Sequence, residues 1–389
     1  MKTFQFRIYP SKKQEVKLFS TLTTCRHLYN GALADRKHEA DINRIYHDFQ
    51  VFPWGKPEWI SYYDQADDLV KSKTEYQKQV YSQVLQNVLK RVERSFKNFF
   101  NGAGYPRFQG RNRYDSFTYP GSGFEITDDG KLKLSKIGEI KINQHREIEG
   151  QIKTCTIKRD VDQWYCSFSV ELDPEPPLEP TGQSVGVDVG LKSLITLSNG
   201  EQVEPPKFLR QSEGKLVKAQ RELSRKKKGS RNRNKHRIEV ARIHRKIKNQ
   251  RKDFAHKVSR TLVNTYDTIV FEKLQITNMV KNHHLAKSIS DAGWGQLVDF
   301  TKAKAEWAGR VVKQVNPRKT SMECCVCGNI QAMPLSQRIY NCPECGNVID
   351  RDHNAAINIK HRGIGQGLAE STPVEMFSRT SLKQEAPSL

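Results

Sequence analysis

The amino-acid sequence predicts a multidomain α+β protein: an N-terminal small β-barrel with an inserted helical domain, then a mixed α/β domain with an inserted cysteine ribbon. Three observations lead to this reading. In the first half, short runs of period 2 flank a stretch of helical period. A seam with four prolines, Pro174, Pro176, Pro177 and Pro180, separates the halves and is expected to be extended and semi-rigid. In the second half one carboxylate interrupts an apolar strand, and two Cys-x-x-Cys pairs follow. A length of 389 residues allows two or more domains, and 36% apolar content suits two modest cores better than one continuous core.

Residues 2–9 alternate, with Phe4, Phe6 and Ile8 on one face, and read as a strand ended by Pro10. Ser11 and Gln14 form a capping box for a helix through Val16, Leu18, Phe19 and Leu22. Residues 32–75 are polar and weakly patterned, so short helices and loops are expected there. Over 75–100 a helical stripe returns, through Tyr81, Leu85, Val88, Val92, Phe96 and Phe99. Its other face carries Gln83, Asn87, Lys90, Arg91, Arg94 and Lys97, either a solvated face or a set of long donors for phosphates. Gly104 and Pro106 break the helix. Short alternating runs at 131–134, 140–142, 152–159 and 164–172 then read as a small barrel that the first strand joins. The barrel takes 1–10 and 104–172, the helical insertion 11–103, and the linker 173–182.

Residues 184–198 read as a β-hairpin. Its first strand, Val185 to Val189, is apolar except for Asp188. A carboxylate there is costly to bury unless it meets a cation; the alternative is an edge-strand Asp facing water. Residues 207–257 hold 20 Lys or Arg against 4 Asp or Glu and so carry +16 of the net +22. A thin stripe of Leu216, Leu223, Ile238, Ile243 and Ile247, broken near Gly229, reads as two helices and a turn. A short buried strand ends at Glu272. Residues 278–290 are polar and are expected to form a lid, 294–309 a helix and 311–315 a strand. After Gly363 the chain has no clear period, and a disordered tail is expected over 364–389.

A net charge of +22 calls for a polyanionic partner, nucleic acid first and a membrane surface second. No apolar stretch approaches the roughly 18–20 residues of a membrane span, and the first residues lack the apolar core of a signal peptide. Scattered Cys25, Cys155 and Cys166 read as small core residues, which fits a reducing cytoplasm.

Cys324 and Cys327, with Cys342 and Cys345, have the spacing of a tetrahedral zinc site. Four thiolates leave no open position, so the ion is expected to be structural, holding a ribbon at 320–346 that is too small to fold alone. Cys325, inside the first pair, reads as a spectator. Asp352 opens an Ala-rich helix, where the plain reading is a capping or first-turn acid. Asp188, Glu272 and Asp352 together nonetheless occupy the strand, strand-end and helix-start positions of a mixed sheet. Hard oxygen donors without a histidine triad suit Mg2+ or Mn2+, and two such ions clamp the oxygens of a phosphodiester. That is RNase H-like nuclease chemistry, in a domain of residues 183–319 and 347–363.

Four blocks carry a family resemblance. They are Gly186-Val-Asp-Val-Gly-Leu-Lys, Phe271-Glu-Lys-Leu, Thr320-Ser-x-x-Cys-x-x-Cys-Gly and Asp350-Arg-Asp-His-Asn-Ala-Ala-Ile-Asn-Ile. They resemble the signature blocks of TnpB (OrfB), proteins of bacterial insertion sequences related to the type V CRISPR effectors. Looser matches are Leu85-Gln-Asn, Phe96-Lys-Asn-Phe-Phe, Pro106-Arg-Phe and Ser288-Ile-Ser-Asp-Ala-Gly-Trp. The resemblance implies an RNA-guided endonuclease that cuts double-stranded DNA beside a short motif. It implies a RuvC-type domain with Asp188, Glu272 and Asp352 as metal-holding catalytic acids, and structural zinc on the four cysteines. It also implies a guide RNA from the element's own end, a wedge-like barrel and a helical recognition domain. The expected working form is a monomeric ribonucleoprotein in the cytoplasm, associated with the nucleoid. Candidate nucleic-acid contacts are Gln86, Asn87 and Arg107, with Arg225, Lys226, Lys227, Lys228, Arg231 and Arg233 in the basic block. Competing readings are a nuclease-silent RNA-guided DNA-binding protein and a transposase.

Overall fold

The computed structural model describes residues 1–50, 57–173, 176–334 and 336–365. The chain divides into two compact units, Met1–Asp173 and Pro174–Leu389. The tail expected at 364–389 lies outside the described residues from 366 onward.

In the first unit, β1 (Lys2–Tyr9) buries Phe4, Phe6 and Ile8 by simple alternation. Ser11 and Gln14 close the capping box of α1 (Lys12–Asp48). This helix runs 37 residues without a break, where short helices and loops were expected from residue 32. The cause is tertiary. Past Leu33 the apolar stripe thins, and buried Arg36 anchors the helix instead, pairing with Glu93 at 2.7 Å and Gln65 at 2.9 Å. The next helices are α2 (Tyr62–Lys71), α3 (Glu75–Lys78) and α4 (Ser82–Phe100). The single helix expected over 75–100 is therefore broken ahead of Ser82, with Tyr81 as the cap of α4. Strands β2 (Ser116–Pro120), β3 (Phe124–Ile126), β4 (Lys131–Leu134), β5 (Gly138–Asn143), β6 (Gln151–Asp160) and β7 (Gln163–Glu171) join β1 in one sheet of order β2-β6-β7-β1-β5-β4-β3. The two ends of that order, β2 and β3, are consecutive in the chain, so covalent connection rather than a ladder spans the gap. Cys25, Cys155 and Cys166 are buried in this unit's core.

The second unit is built on a five-stranded sheet of order β10-β9-β8-β11-β12. Its hairpin is β8 (Ser184–Val189) against β9 (Ile195–Leu197), with β10 (Gln202–Val203) beyond. Helices α5 (Phe208–Ser224) and α6 (Arg231–Thr265) form the basic pair and return the chain to β11 (Thr268–Glu272), parallel to β8. A second crossover, α7 (Ile276–Met279), α8 (His283–Ala292) and α9 (Trp294–Ala308), leads to β12 (Val311–Val315), parallel to β11. The stretch expected as a lid is thus largely helical. Asn282 caps α8, Ile289 is buried, and Asp291 bonds Arg251 of α6 and the Leu209 amide of α5. After β13 (Ile339–Asn341) and β14 (Val348–Asp350), α10 (Arg351–Ile364) lies on the sheet.

The two faces of this sheet separate by residue parity. Val185, Val187, Ile269 and Phe271 share a core with Leu262, Val263 and Leu297 of the α6 and α9 layer. Val270 and Val315 pack with Ile359 of α10 on the other face. The fit of α10 is tight at two glycines. A Cβ on Gly186 would lie 2.0 Å from the Ala356 carbonyl oxygen, and one on Gly363 2.4 Å from the Val270 methyls. Glycine at each site, with Ala355 and Ala356 between, lets the helix backbone lie directly on the strands.

Candidate functional site

Parity also aims two acids. Gly186 and Val270 face α10, so Asp188 and Glu272, two residues further along each strand, face the same way. The parallel register sets Val187 beside Phe271, which puts Asp188 and Glu272 on neighbouring strands at the same end of the sheet. Asp352 arrives from above, in the first turn of α10. The helix is capped by Asp350 rather than Asp352: its carboxylate accepts the Asp352 and His353 amides at 2.9 and 3.2 Å. His353 also reaches the Ser198 carbonyl at 3.2 Å, tying the helix start to the end of the hairpin.

The local charge is negative and strained. Burial pushes the Asp188 carboxyl well above the usual carboxylate range. The charges of Glu272 and Asp352 raise it further, and Arg351 opposes them. Burial likewise raises Glu272, against the hydroxyl of Thr320 and the charge of Arg362. Asp188 is only partly exposed, yet among the described residues no group hydrogen-bonds its carboxylate. An acid crowded by two others and left without a donor fits a divalent cation through hard oxygen ligands. The charges of both other acids thus reach Asp188. Among the described residues, the tight metal-ligating cluster is the four cysteines.

Cys324, Cys327, Cys342 and Cys345 offer four sulfurs all within 4.8 Å of one another. Two separations, 3.7 Å for Cys324–Cys345 and 3.5 Å for Cys327–Cys342, approach the edge of about 3.8 Å that a tetrahedron of 2.3 Å Zn–S bonds has. The two knuckles repeat one pattern. Gly328 donates to the Cys324 carbonyl and Gly346 to the Cys342 carbonyl, each at 3.0 Å. The Cys345 and Glu344 amides bring the Cys342 thiol down to about 6, favouring the thiolate that a metal needs. Cys325 stands apart: its amide is bound by Asn354 at 2.9 Å. The cluster can therefore hold a zinc ion.

One face of α10 joins the two sites. Asn354, Asn358 and Arg362 recur at intervals of four on one face of α10. Asn354 and Asn358 donate to the Glu323 carbonyl at 2.7 Å each, and Asn358 donates to that of Thr320 at 2.9 Å. Arg362 holds the Asn316 and Arg318 carbonyls and pairs with the Glu323 carboxylate. Thr320, 4% exposed, turns its hydroxyl onto Glu272. The Thr-Ser pair before the first cysteine is visible in sequence; its partner 48 residues earlier is not.

The candidate nucleic-acid residues divide. Gln86, Arg107, Arg225, Lys227, Lys228 and Arg231 are exposed; Asn87 and Lys226 are half-buried. Arg225 and Lys226 both lie near Glu222, at 3.3 and 3.9 Å. Arg233 donates to the Leu223 and Lys226 carbonyls at 2.9 and 3.0 Å, closing the turn between α5 and α6. Arg91, on the donor face of α4, likewise serves the fold, bonding the Ser116 carbonyl and the Thr118 hydroxyl. Among the described residues no helix is long and apolar enough to cross a membrane.

Residues 167–283 match the OrfB_IS605 family, described as "Probable transposase", and 294–359 match "Cas12f1-like, TNB domain". A "Putative RNA-guided DNA endonuclease" of Streptomyces pristinaespiralis is 36% identical over 99% of this chain and 96% of its own length. The chain belongs to the TnpB (OrfB) family. A second member, "Putative RNA-guided DNA endonuclease InsQ" of Escherichia coli (strain K12), is 32% identical over 93% of this chain and 92% of that one. The fold is shared with a solved structure titled "Cryo-EM structure of the Cas12f1-sgRNA-target DNA complex", at TM-score 0.56 and 15% identity, covering 89% of this chain and 83% of that one. Residues 1–41 match a family model described as "Helix-turn-helix domain". In this member they form β1 and most of the uninterrupted α1.

Proposed function

We propose that the chain is an RNA-guided DNA endonuclease that cuts double-stranded DNA next to a short motif by phosphodiester hydrolysis. The convergence of Asp188, Glu272 and Asp352 at one end of a mixed sheet carries the reading. An antiparallel hairpin followed by parallel strands is the order of an RNase H-like, RuvC-type sheet, here assigned to 183–319 and 347–363, with the zinc ribbon at 320–346. The seven-stranded sheet is assigned as a small wedge-like barrel, the helices of 11–103 as the recognition domain, and 173–182 as the linker. In the mechanism, Asp188, Glu272 and Asp352 would hold Mg2+ or Mn2+ through their carboxylate oxygens. When bound, such ions activate water and neutralise the departing oxygen. The chain's own part is to hold three acids in one place, keep other donors off Asp188, and need no side-chain nucleophile. The basic pair α5 and α6 supplies charge for a guide RNA and its DNA hybrid, whose sequence is read by base pairing. Zinc on the four cysteines is structural. The working form is a monomeric ribonucleoprotein at the nucleoid.

The test starts from cells that carry the chain with its flanking DNA. Purified protein is expected to bring one RNA species from the element's end. With it, DNA matching the guide is expected to be cut in Mg2+ and spared in EDTA, and donor ends supplied with target DNA are expected to give no joined products. Joined products would establish the transposase instead. Guide binding without cuts in Mg2+ would establish the nuclease-silent form.

A further inference from the structure

We propose that Thr320 is a positioning residue for Glu272, and that α10 sets two acids of the site: Asp352 directly and Glu272 through Thr320. This rests on the reading of the three acids as a divalent-metal site.

The arrangement follows from hydrogen-bond accounting. The Thr320 hydroxyl has one proton and two acceptors in reach, the Glu272 carboxylate and the Pro317 carbonyl at 3.2 Å. An ionised carboxylate is the stronger acceptor, so the proton goes to Glu272. That donor occupies one lone pair of one carboxylate oxygen and fixes the plane of the group, as donors behind a metal-ligating carboxylate do. Thr320 is itself immobilised. Its carbonyl is bound by Asn358, its residue is buried, and Arg362 holds the carbonyls of Asn316 and Arg318 on its N-terminal side. Asn358 and Arg362 lie one and two turns beyond Asn354 on the helix whose first turn carries Asp352. Asn354 in turn holds the Cys325 amide inside the first knuckle. One rigid helix on two close glycine contacts therefore references Asp352, Glu272 and the cysteine ribbon to a common frame.

The experiment measures Mn2+ binding to the full-length chain by electron paramagnetic resonance, separately from cleavage. Thr320→Val keeps the shape of the side chain and removes the hydroxyl; Thr320→Ser keeps the hydroxyl. Zinc content and the thermal transition of each are recorded, and Thr320→Ala gives a second deletion of the donor. Thr320→Val and Thr320→Ala are expected to raise the half-saturating Mn2+ concentration by roughly tenfold, as loss of one charge-assisted hydrogen bond does. Thr320→Ser is expected to restore wild-type binding, and the Mg2+ dependence of cleavage is expected to shift in parallel. Unchanged Mn2+ affinity in both deletions, or equal loss in Thr320→Ser, overturns the proposal. Asp188→Ala separates the two layers. If it too binds Mn2+ as the wild type does, the metal-site reading has failed; if it alone loses Mn2+, only the role of Thr320 has.

Discussion

Asp188→Asn is expected to abolish guided DNA cleavage while leaving guide RNA bound. On the proposed reading of Asp188 as a metal-holding acid, its replacement removes several kcal/mol of transition-state stabilisation, a loss on the order of a thousandfold or more in rate. RNA binding is expected to persist because the basic pair α5 and α6 is untouched. The same substitution is expected to stabilise the metal-free protein at neutral pH. The Asp188 carboxyl is raised in the folded state, by burial first and then by Glu272 and Asp352. A raised acid supports folding below its unfolded pKa, about 3.9, and that support is lost as pH rises through the folded value. At neutral pH without a cation, ionising Asp188 in the folded state therefore carries a cost that Asn does not. Thermal unfolding in EDTA is expected to show Asp188→Asn melting above the wild type at pH 7, with the difference closing as pH falls. Mg2+ is expected to raise the wild type and leave the variant where it was. Undiminished cleavage by Asp188→Asn would take this residue out of the mechanism.

Cys342→Ala is expected to cost the ribbon its fold. Among the described residues, the ribbon's own core is Cys324, Met333, Tyr340 and Cys342, with Met322 and Ile349 beside it. A core that small supplies little against the entropy of ordering its residues, whereas structural zinc contributes apparent energies of about 10–16 kcal/mol. Zinc per chain is expected to fall from about one to near zero, with loss of a thermal transition, and chelation of the wild type is expected to do the same. Because the segment 316–325 runs from Thr320, which bonds Glu272, to the first knuckle, cleavage is expected to fall with it. Folded, active wild type with no zinc would refute the assignment.

The parts of this site that sequence discloses are those where residue type conflicts with its surroundings. A carboxylate in an apolar strand, another at a strand's end, and paired cysteines at knuckle spacing each stand out without knowledge of the fold. The parts it hides are held by contacts between distant, ordinary residues. Nothing in the polar run after Leu33 announces that Arg36 meets Glu93 and keeps α1 helical for 37 residues. Polar 278–290 looks like a loop because its anchors, Arg251 and the Leu209 amide for Asp291, lie on other helices. Arg233 reads as a phosphate ligand until its carbonyl partners at the end of α5 are seen. Asn354 and Asn358 are both buried, because their partners are main-chain carbonyls and an amide of a segment about thirty residues earlier, which sequence does not place beside them.

Anomalous scattering from Mn2+ in the complex of this chain with its guide RNA and a DNA that cannot be cut reads the shared site directly. Two manganese peaks about 3.5–4 Å apart, both within bonding distance of Asp188 and one each of Glu272 and Asp352, are the expected result. Ions bound elsewhere, with the three carboxylates left unligated around intact DNA, would contradict it.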